Sequence, residues 1–321
     1  MLTQKEYIEM ADARVASITM PSTPAGLYEP IAYTLDCGGK RLRPMLTLAF
    51  CEAFGCDPAN ALNQAAGIEM FHNFTLLHDD VMDHAEMRRG RPTVHVKWDS
   101  RTAILSGDAM LTMAAMLAGE KCDSAKLPEV LNLFHRTAME VYEGQQYDMD
   151  FESRTDVSVD EYLEMIRLKT SVLIGCACRM GALMAGASVE AQDAAYRFGE
   201  SLGIAFQLQD DYLDTYGDPM VFGKEIGGDI MNDKKTWLNI VATAEDSEGI
   251  MASERRNPSE PAEKLSRIRG VYDRLELPSR CHQLIDQYVD EAIASLDNCN
   301  FAPAAKDFFI SVAEKSRTRS Y

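Results

Sequence analysis

Two aspartate clusters of one form, Asp79-Asp80-Val81-Met82-Asp83 and Asp210-Asp211-Tyr212-Leu213-Asp214, have the residue types and spacing in this chain that most invite chemistry. Each sits in an apolar run of helical character, Phe71 to Met82 and Leu202 to Leu213, so its first and last Asp, at i and i+4, share one helix face. Carboxylates stacked in this way repel one another by about a few tenths of a kcal/mol in water, and burial beside Leu and Val would cost far more. A solvated acidic face would account for one such string. Two of them inside apolar runs point to a split metal site. Oxygen donors with no Cys or His in the cluster suit Mg²⁺, which keeps several waters and bridges carboxylates to substrate phosphates.

Phosphate also needs cations opposite the metal. Gly38-Gly39-Lys40-Arg41-Leu42-Arg43-Pro44 places three of them on a glycine turn opening a helix, where backbone N–H groups and the helix dipole favour an anion. Arg88-Arg89-Gly90 follows the first acidic cluster; adjacent guanidiniums repel unless something anionic lies beside them, and Arg suits bidentate phosphate contact. Lys169-Thr170 falls inside the apolar stretch Ile166 to Cys176, where a Lys must snorkel or be paired. Lys224 and Lys234 follow the second acidic cluster. His72 lies about 700° around the helix from Asp79, nearly on the same face, which favours a ligand role over a core histidine; His78 has no such support. Thr170 and Gln207 supply oxygens able to stabilise a cation, although a helical Thr more often bonds its own backbone.

The elements that must position these groups are helices. Helical periodicity recurs over about 44–55, 60–83, 97–119, 128–150, 159–186, 190–217, 234–246, 261–275, 279–297 and 303–316, and strand-like alternation is almost absent. Ser158-Val159-Asp160-Glu161 reads as a capping box opening the fifth of these. The polar stretch Glu245 to Glu260 reads as a surface insertion. The expected fold is all-α, a single large bundle of about ten core helices around a deep central cleft, forming one domain over residues 1–321. A net charge of −18 argues against nucleic-acid binding. The eight cysteines, at 37, 51, 56, 122, 176, 178, 281 and 299, form no CxxC pair and read as reduced packing thiols of a cytoplasmic protein. No signal peptide is visible, and no uninterrupted apolar run approaches the roughly 20 residues of a membrane span. The end, Lys315 to Tyr321, puts three cations in five residues: a frayed helix terminus, or a tail that covers bound substrate.

The order of these motifs, including His72-Asn73-Phe74-Thr75-Leu76-Leu77-His78 before Asp79, Phe206-Gln207-Leu208-Gln209 before Asp210, and Gly217-Asp218 and Gly223-Lys224 after Asp214, resembles the trans-isoprenyl diphosphate synthase family. The resemblance spans roughly residues 30–240; the last 80 residues give no usable signal. It implies an isoprenoid-synthase bundle, a homodimer, and condensation of isopentenyl diphosphate with an allylic diphosphate to a chain longer by five carbons. It further implies three Mg²⁺ ions, replaceable by Mn²⁺, held by Asp79, Asp80, Asp83 and Asp210, with Asp211 and Asp214 acting through water. Arg88, Lys169, Thr170, Gln207, Lys224 and Lys234 match family positions on the allylic side, and Lys40, Arg43, His72 and Arg89 match the metal-free isopentenyl diphosphate site. Phe74 matches the residue that plugs the product channel, with the small Thr75 beside it, a pattern resembling short-chain synthases of the geranylgeranyl type or those releasing both C15 and C20 products, where two adjacent aromatics would have favoured farnesyl. The plug role rests on that resemblance, since a helical wheel turns Phe74 about 140° from Asp79 and Thr75 only about 40°. A class I terpene cyclase would have no use for the second diphosphate site, and a non-catalytic partner subunit would be expected to lose an acidic motif that this chain keeps.

Overall fold

Helix follows helix along almost the whole chain in the computed structural model, which describes residues 1–217 and 226–317. In order these are α1 (Gln4–Ala16), α2 (Ala25–Asp36), α3 (Leu42–Ala53), α4 (Leu62–Met82), α5 (Val94–Lys97), α6 (Ser100–Gly119), α7 (Leu127–Ser153), α8 (Val159–Ile166), α9 (Val172–Ala185), α10 (Val189–Tyr216), α11 (Gly228–Met231), α12 (Trp237–Glu245), α13 (Ile250–Arg256), α14 (Pro261–Arg274), α15 (Leu277–Ser295) and α16 (Pro303–Arg317). Among the described residues the strands are β1 (Met87–Arg88) and β2 (Arg91–Pro92), one antiparallel pair. The all-α expectation holds. Among the described helices α1, α2, α11 and α13 lie wholly outside the periodic stretches of the sequence and α5 meets one only at Lys97; α5 and α11 are four-residue helices, too short to show a period. The buried stripe of α1 is only Tyr7, Ala11 and Val15, and α2 contains Pro30, so neither shows a broad apolar face. The expected insertion at 245–260 contains α13, a short helix that buries Met251 and Glu254. The capping box is present: Ser158 Oγ accepts from the Glu161 N–H at 3.2 Å, and Glu161 Oε2 accepts from the Ser158 N–H at 2.9 Å.

The chain divides into two compact units, Met1–Arg136 with Cys176–Tyr196, and Thr137–Gly175 with the residues from Arg197 onward. In the first unit α4 and α6 run antiparallel and very close. A Cβ on Gly67 of α4 would lie 2.8 Å from the Ala114 carbonyl oxygen, and Gln64 Nε2 donates to the Ala118 carbonyl at 3.0 Å. Gly181 of α9 lets that helix lie on α3, where a Cβ would stand 2.2 Å from the Thr47 carbonyl oxygen. In the second unit the path between α8 and α9 is a π-turn, Arg167–Ser171. Gly144 of α7 and Gly203 of α10 press against it; a Cβ at either would lie 2.2 Å from Lys169 N or 2.6 Å from Ser171 Cα. Two helical stretches, Ser100–Gly119 and Val159–Ala185, are long and apolar enough to cross a membrane by length and composition, although charged residues, Arg101 and Asp108 in the first and Arg167 and Lys169 in the second, interrupt both. In the most apolar 18-residue window of each, 78% of the second is buried, as in a core helix, and 39% of the first.

Candidate active site

In the first unit the end of α4 carries Asp79 and Asp80, and Asp83 caps the helix with its N–H on the Asp79 carbonyl at 2.8 Å. Asp80 is buried, and Arg88 reaches its Oδ1 with both Nε and Nη2 at 2.7 Å. Burial still wins over Arg88 and holds the Asp80 carboxyl above its ordinary range. Arg88 and Arg89 are presented by the β1–β2 hairpin, whose two-residue loop, Arg89-Gly90, has φ of 52° and 74°, the paired positive values of a type I′ turn. Arg89 then donates to the Gly38 carbonyl and lies flat on Gly39, where a Cβ would be 3.0 Å from Nη2. The hairpin is thereby tied to the loop that carries Lys40, Arg41 and Arg43.

Cations crowd here. Burial, then the charges of Arg43, Arg89, Arg88 and Arg41, hold His72 well below its ordinary value and therefore neutral at pH 7. Burial and Arg89 push Arg43 down to about 10 against the pull of Glu69, and its Nε is shielded from water with no hydrogen-bond partner among the described residues. Arg41, at the N-cap of α3 with φ of 50°, is turned away into the protein: Nε meets Asp12 of α1 at 2.7 Å and Nη1 meets Glu69 of α4 at 2.6 Å. Asn73 Nδ2 donates to Glu69 Oε1 at 3.1 Å. Arg41 is thus a strut, while Arg43, Arg89 and His72 crowd together, with Glu69 as the acid that pulls on the two guanidiniums.

In the second unit α10 carries Gln207, Asp210, Asp211 and Asp214. Asp211 is buried and held on both oxygens, with the Tyr162 hydroxyl donating to Oδ2 at 2.6 Å and Gln207 Nε2 to Oδ1 at 2.9 Å. Thr170 Oγ1 donates to Gln207 Oε1 at 3.1 Å, so the π-turn is wired to α10. Lys169 is paired with Asp148 of α7 and does not snorkel. Asp214 Oδ2 accepts the Asp229 N–H at 2.9 Å, and Lys234 Nζ stands 3.6 Å from Asp229 Oδ1 and 4.0 Å from Asp211 Oδ1. Burial, helped by Asp211 and Asp214 and opposed by Lys234, pushes Asp229 up to about 7. Burial works against the Lys234 ammonium, but Asp211, Asp229, Asp148 and Asp214 outweigh it and raise its affinity for the proton. Lys224 lies outside the described residues.

The family model of polyprenyl synthetase matches residues 24–273. The chain belongs to that family. A short chain isoprenyl diphosphate synthase of Methanothermobacter thermautotrophicus is 41% identical over 76% of this chain and 75% of its own length. The geranylgeranyl pyrophosphate synthase of Geoglobus acetivorans is 34% identical over 97% of this chain and 96% of its own. A crystal structure of geranylgeranyl pyrophosphate synthase superposes with a TM-score of 0.92 at 42% identity, covering all of both chains. Likeness therefore extends past residue 240, beyond the reach of the motifs alone. A polyprenyl synthetase is a prenyltransferase, and membership brings a requirement for a divalent metal.

The donor set of this polyprenyl synthetase suits such an ion. Among the described residues no group of three or more His, Cys, Asp or Glu closes into a metal cage. The clusters instead offer carboxylates from one helix face, one of them buried at a cost that its arginine does not cancel. That pattern fits a hard cation that keeps waters and shares phosphate oxygens. Motif reading missed Glu69, Asp12, Asn73, Tyr162, Asp148 and Asp229. Glu69 had one signal, a single acid within the apolar run Leu62 to Leu77; the others had none.

Proposed function

We propose that this polyprenyl synthetase condenses isopentenyl diphosphate head to tail with allylic diphosphates to give a short-chain all-trans prenyl diphosphate of 15 to 20 carbons, geranylgeranyl favoured over farnesyl. The observation that carries this reading is the cation crowd of Arg43, Arg89 and His72, separate in the sequence from both acidic clusters. Burial first, and then neighbouring arginines, lower the proton affinity of all three, and one buried guanidinium nitrogen has no partner among the described residues. A diphosphate bound without metal relieves that crowding. A terpene cyclase, which takes one diphosphate, has no use for it.

In this reading Lys40, Arg43, His72 and Arg89 hold isopentenyl diphosphate, and Arg88, Lys169, Lys224 and Lys234 stabilise the allylic diphosphate as it departs. Asp79, Asp80, Asp83 and Asp210 would hold Mg²⁺, and Asp211 and Asp214, whose carboxylates accept protein hydrogen bonds, would assist through water. Three Mg²⁺ ions, replaceable by Mn²⁺, would neutralise charge on the leaving diphosphate. Gln207 and Thr170, linked to each other, present their dipoles to the allylic carbons. Phe74 and Thr75 set product length. The functional unit is the whole chain as one domain. We place it in the cytoplasm, as its eight free cysteines favour, and in a homodimer, which would cover exposed Ile104, Leu105 and Met116 of α6.

The test is incubation of purified protein with Mg²⁺, labelled isopentenyl diphosphate and, in turn, dimethylallyl, geranyl and farnesyl diphosphate, with products resolved by length. Condensation with at least the first two is expected. No elongation of any primer, or full turnover in excess chelator, would overturn the reading.

A further inference from the structure

We infer that His78 positions the Phe74 ring and thereby helps set product length. The inference rests on the reading of Phe74 as the residue that limits growth.

Phe71, Phe74 and His78 fall at i, i+3 and i+7 of α4, on the face that packs against α6. His78 Nε2 lies 3.1 Å from the Ile104 carbonyl oxygen of α6. A carbonyl only accepts, so Nε2 must carry the proton. Access to that oxygen comes from Gly107. A side chain three residues on would shade the carbonyl, and a Cβ at Gly107 would lie 2.1 Å from Nε2 and 2.4 Å from Cδ2 of the imidazole. The ring of His78 occupies the space that Gly107 leaves empty.

Pinned in this way, the imidazole meets Phe74 edge to face, with centroids 4.8 Å apart and planes at 68°. On its other side Phe74 meets Phe71 at 5.4 Å, and Phe71 in turn meets Phe134 at 5.5 Å. Phe74 is 5% exposed and touches both rings, and the imidazole is anchored by its hydrogen bond to the neighbouring helix. Losing one such contact shifts a rotamer equilibrium by roughly a factor of 2 to 10. With His78 gone, the Phe74 ring can swing toward the space above Gly107, and the stop it provides becomes leaky.

Wild type, Phe74→Ala, His78→Ala and Gly107→Ala would be incubated with isopentenyl diphosphate, an allylic diphosphate primer and Mg²⁺, with the ratio of longer to normal product measured beside total turnover and melting temperature. Phe74→Ala is expected to lengthen the product outright. His78→Ala should raise the ratio roughly two- to tenfold, and Gly107→Ala, which displaces the same ring from the opposite helix, should do likewise. A merely structural role would lower turnover or melting temperature at an unchanged ratio. Longer product from Phe74→Ala with a wild-type ratio in both other variants overturns the role of His78 and leaves that of Phe74 standing. An unchanged product from Phe74→Ala removes the reading on which the inference rests.

Discussion

Glu69 is the residue on which the loop of the proposed isopentenyl diphosphate site depends. Its carboxylate holds the buried Arg41 strut on one side and Asn73 on the other, behind the loop that carries Lys40 and Arg43. Breaking a buried pair costs about 3 to 5 kcal/mol, but Asp12 remains on Arg41, so Glu69→Gln should cost about 2 kcal/mol by denaturant melting. It should also raise the apparent KM for isopentenyl diphosphate more than that for the allylic substrate. His72 gives a pH dependence. Its folded-state value is depressed, so below about 6.5 the unfolded chain binds a proton that the native protein refuses. Stability should therefore fall on acidification below that point, and His72→Gln should flatten this part of the profile. Asp79→Ala and Asp210→Ala should each abolish most turnover with equal or higher melting temperature, since each relieves carboxylate repulsion in the metal-free protein. A large fall in melting temperature with activity kept would make the clusters structural. At this scale the acidic and basic motifs stood out because like charges in apolar runs need partners, and the structure supplies some of these from within the protein, Arg88 for Asp80 and Gln207 for Asp211. Tyr162 did not, because a buried tyrosine in a helix looks like any core aromatic until its hydroxyl is seen on Asp211.

Among the elements, the starts of α8, α14 and α16 were legible to the residue, that of α8 from its cap. Ser158→Ala should cost about 1 kcal/mol by removing the cap. The reciprocal partner, Glu161, is held at about 2, first by Arg154 and then by Ser158. Its contribution is present above the ordinary carboxylate value near 4.5 and lost as pH falls toward 2, so Glu161→Gln should weaken the acid limb of a stability–pH curve. The π-turn at the end of α8 was not legible. No local residue preference announces such a turn; it is set by Gly144 and Gly203, distant in sequence, whose missing Cβ atoms let two helices touch the backbone of Arg167–Ser171. Gly144→Ala, normally worth up to about 1 kcal/mol of helix propensity, should here destabilise and lower turnover, because the new methyl meets the Lys169 amide. α1 and α2 escaped for the opposite reason: their apolar stripes are too narrow to show periodicity.

For the molecule as a whole, the family resemblance gave the fold class and reaction, yet not the way the chain is partitioned. Both compact units are discontinuous in sequence, and the chain passes between them within α7, α9 and α10. This has a consequence for biosynthesis. The first unit, which holds Asp79 and the whole cation crowd, lacks Cys176–Tyr196 until most of the chain has emerged from the ribosome, and with it Gly181, which packs on α3 at Thr47 and Cys51. A fragment ending at Arg136 should therefore remain protease-sensitive, whereas nascent chains long enough to expose Tyr196 should acquire a resistant core. Pulse proteolysis of ribosome-stalled chains of graded length would locate that threshold. If resistance already appears at residue 136, α9 is dispensable to the unit it completes.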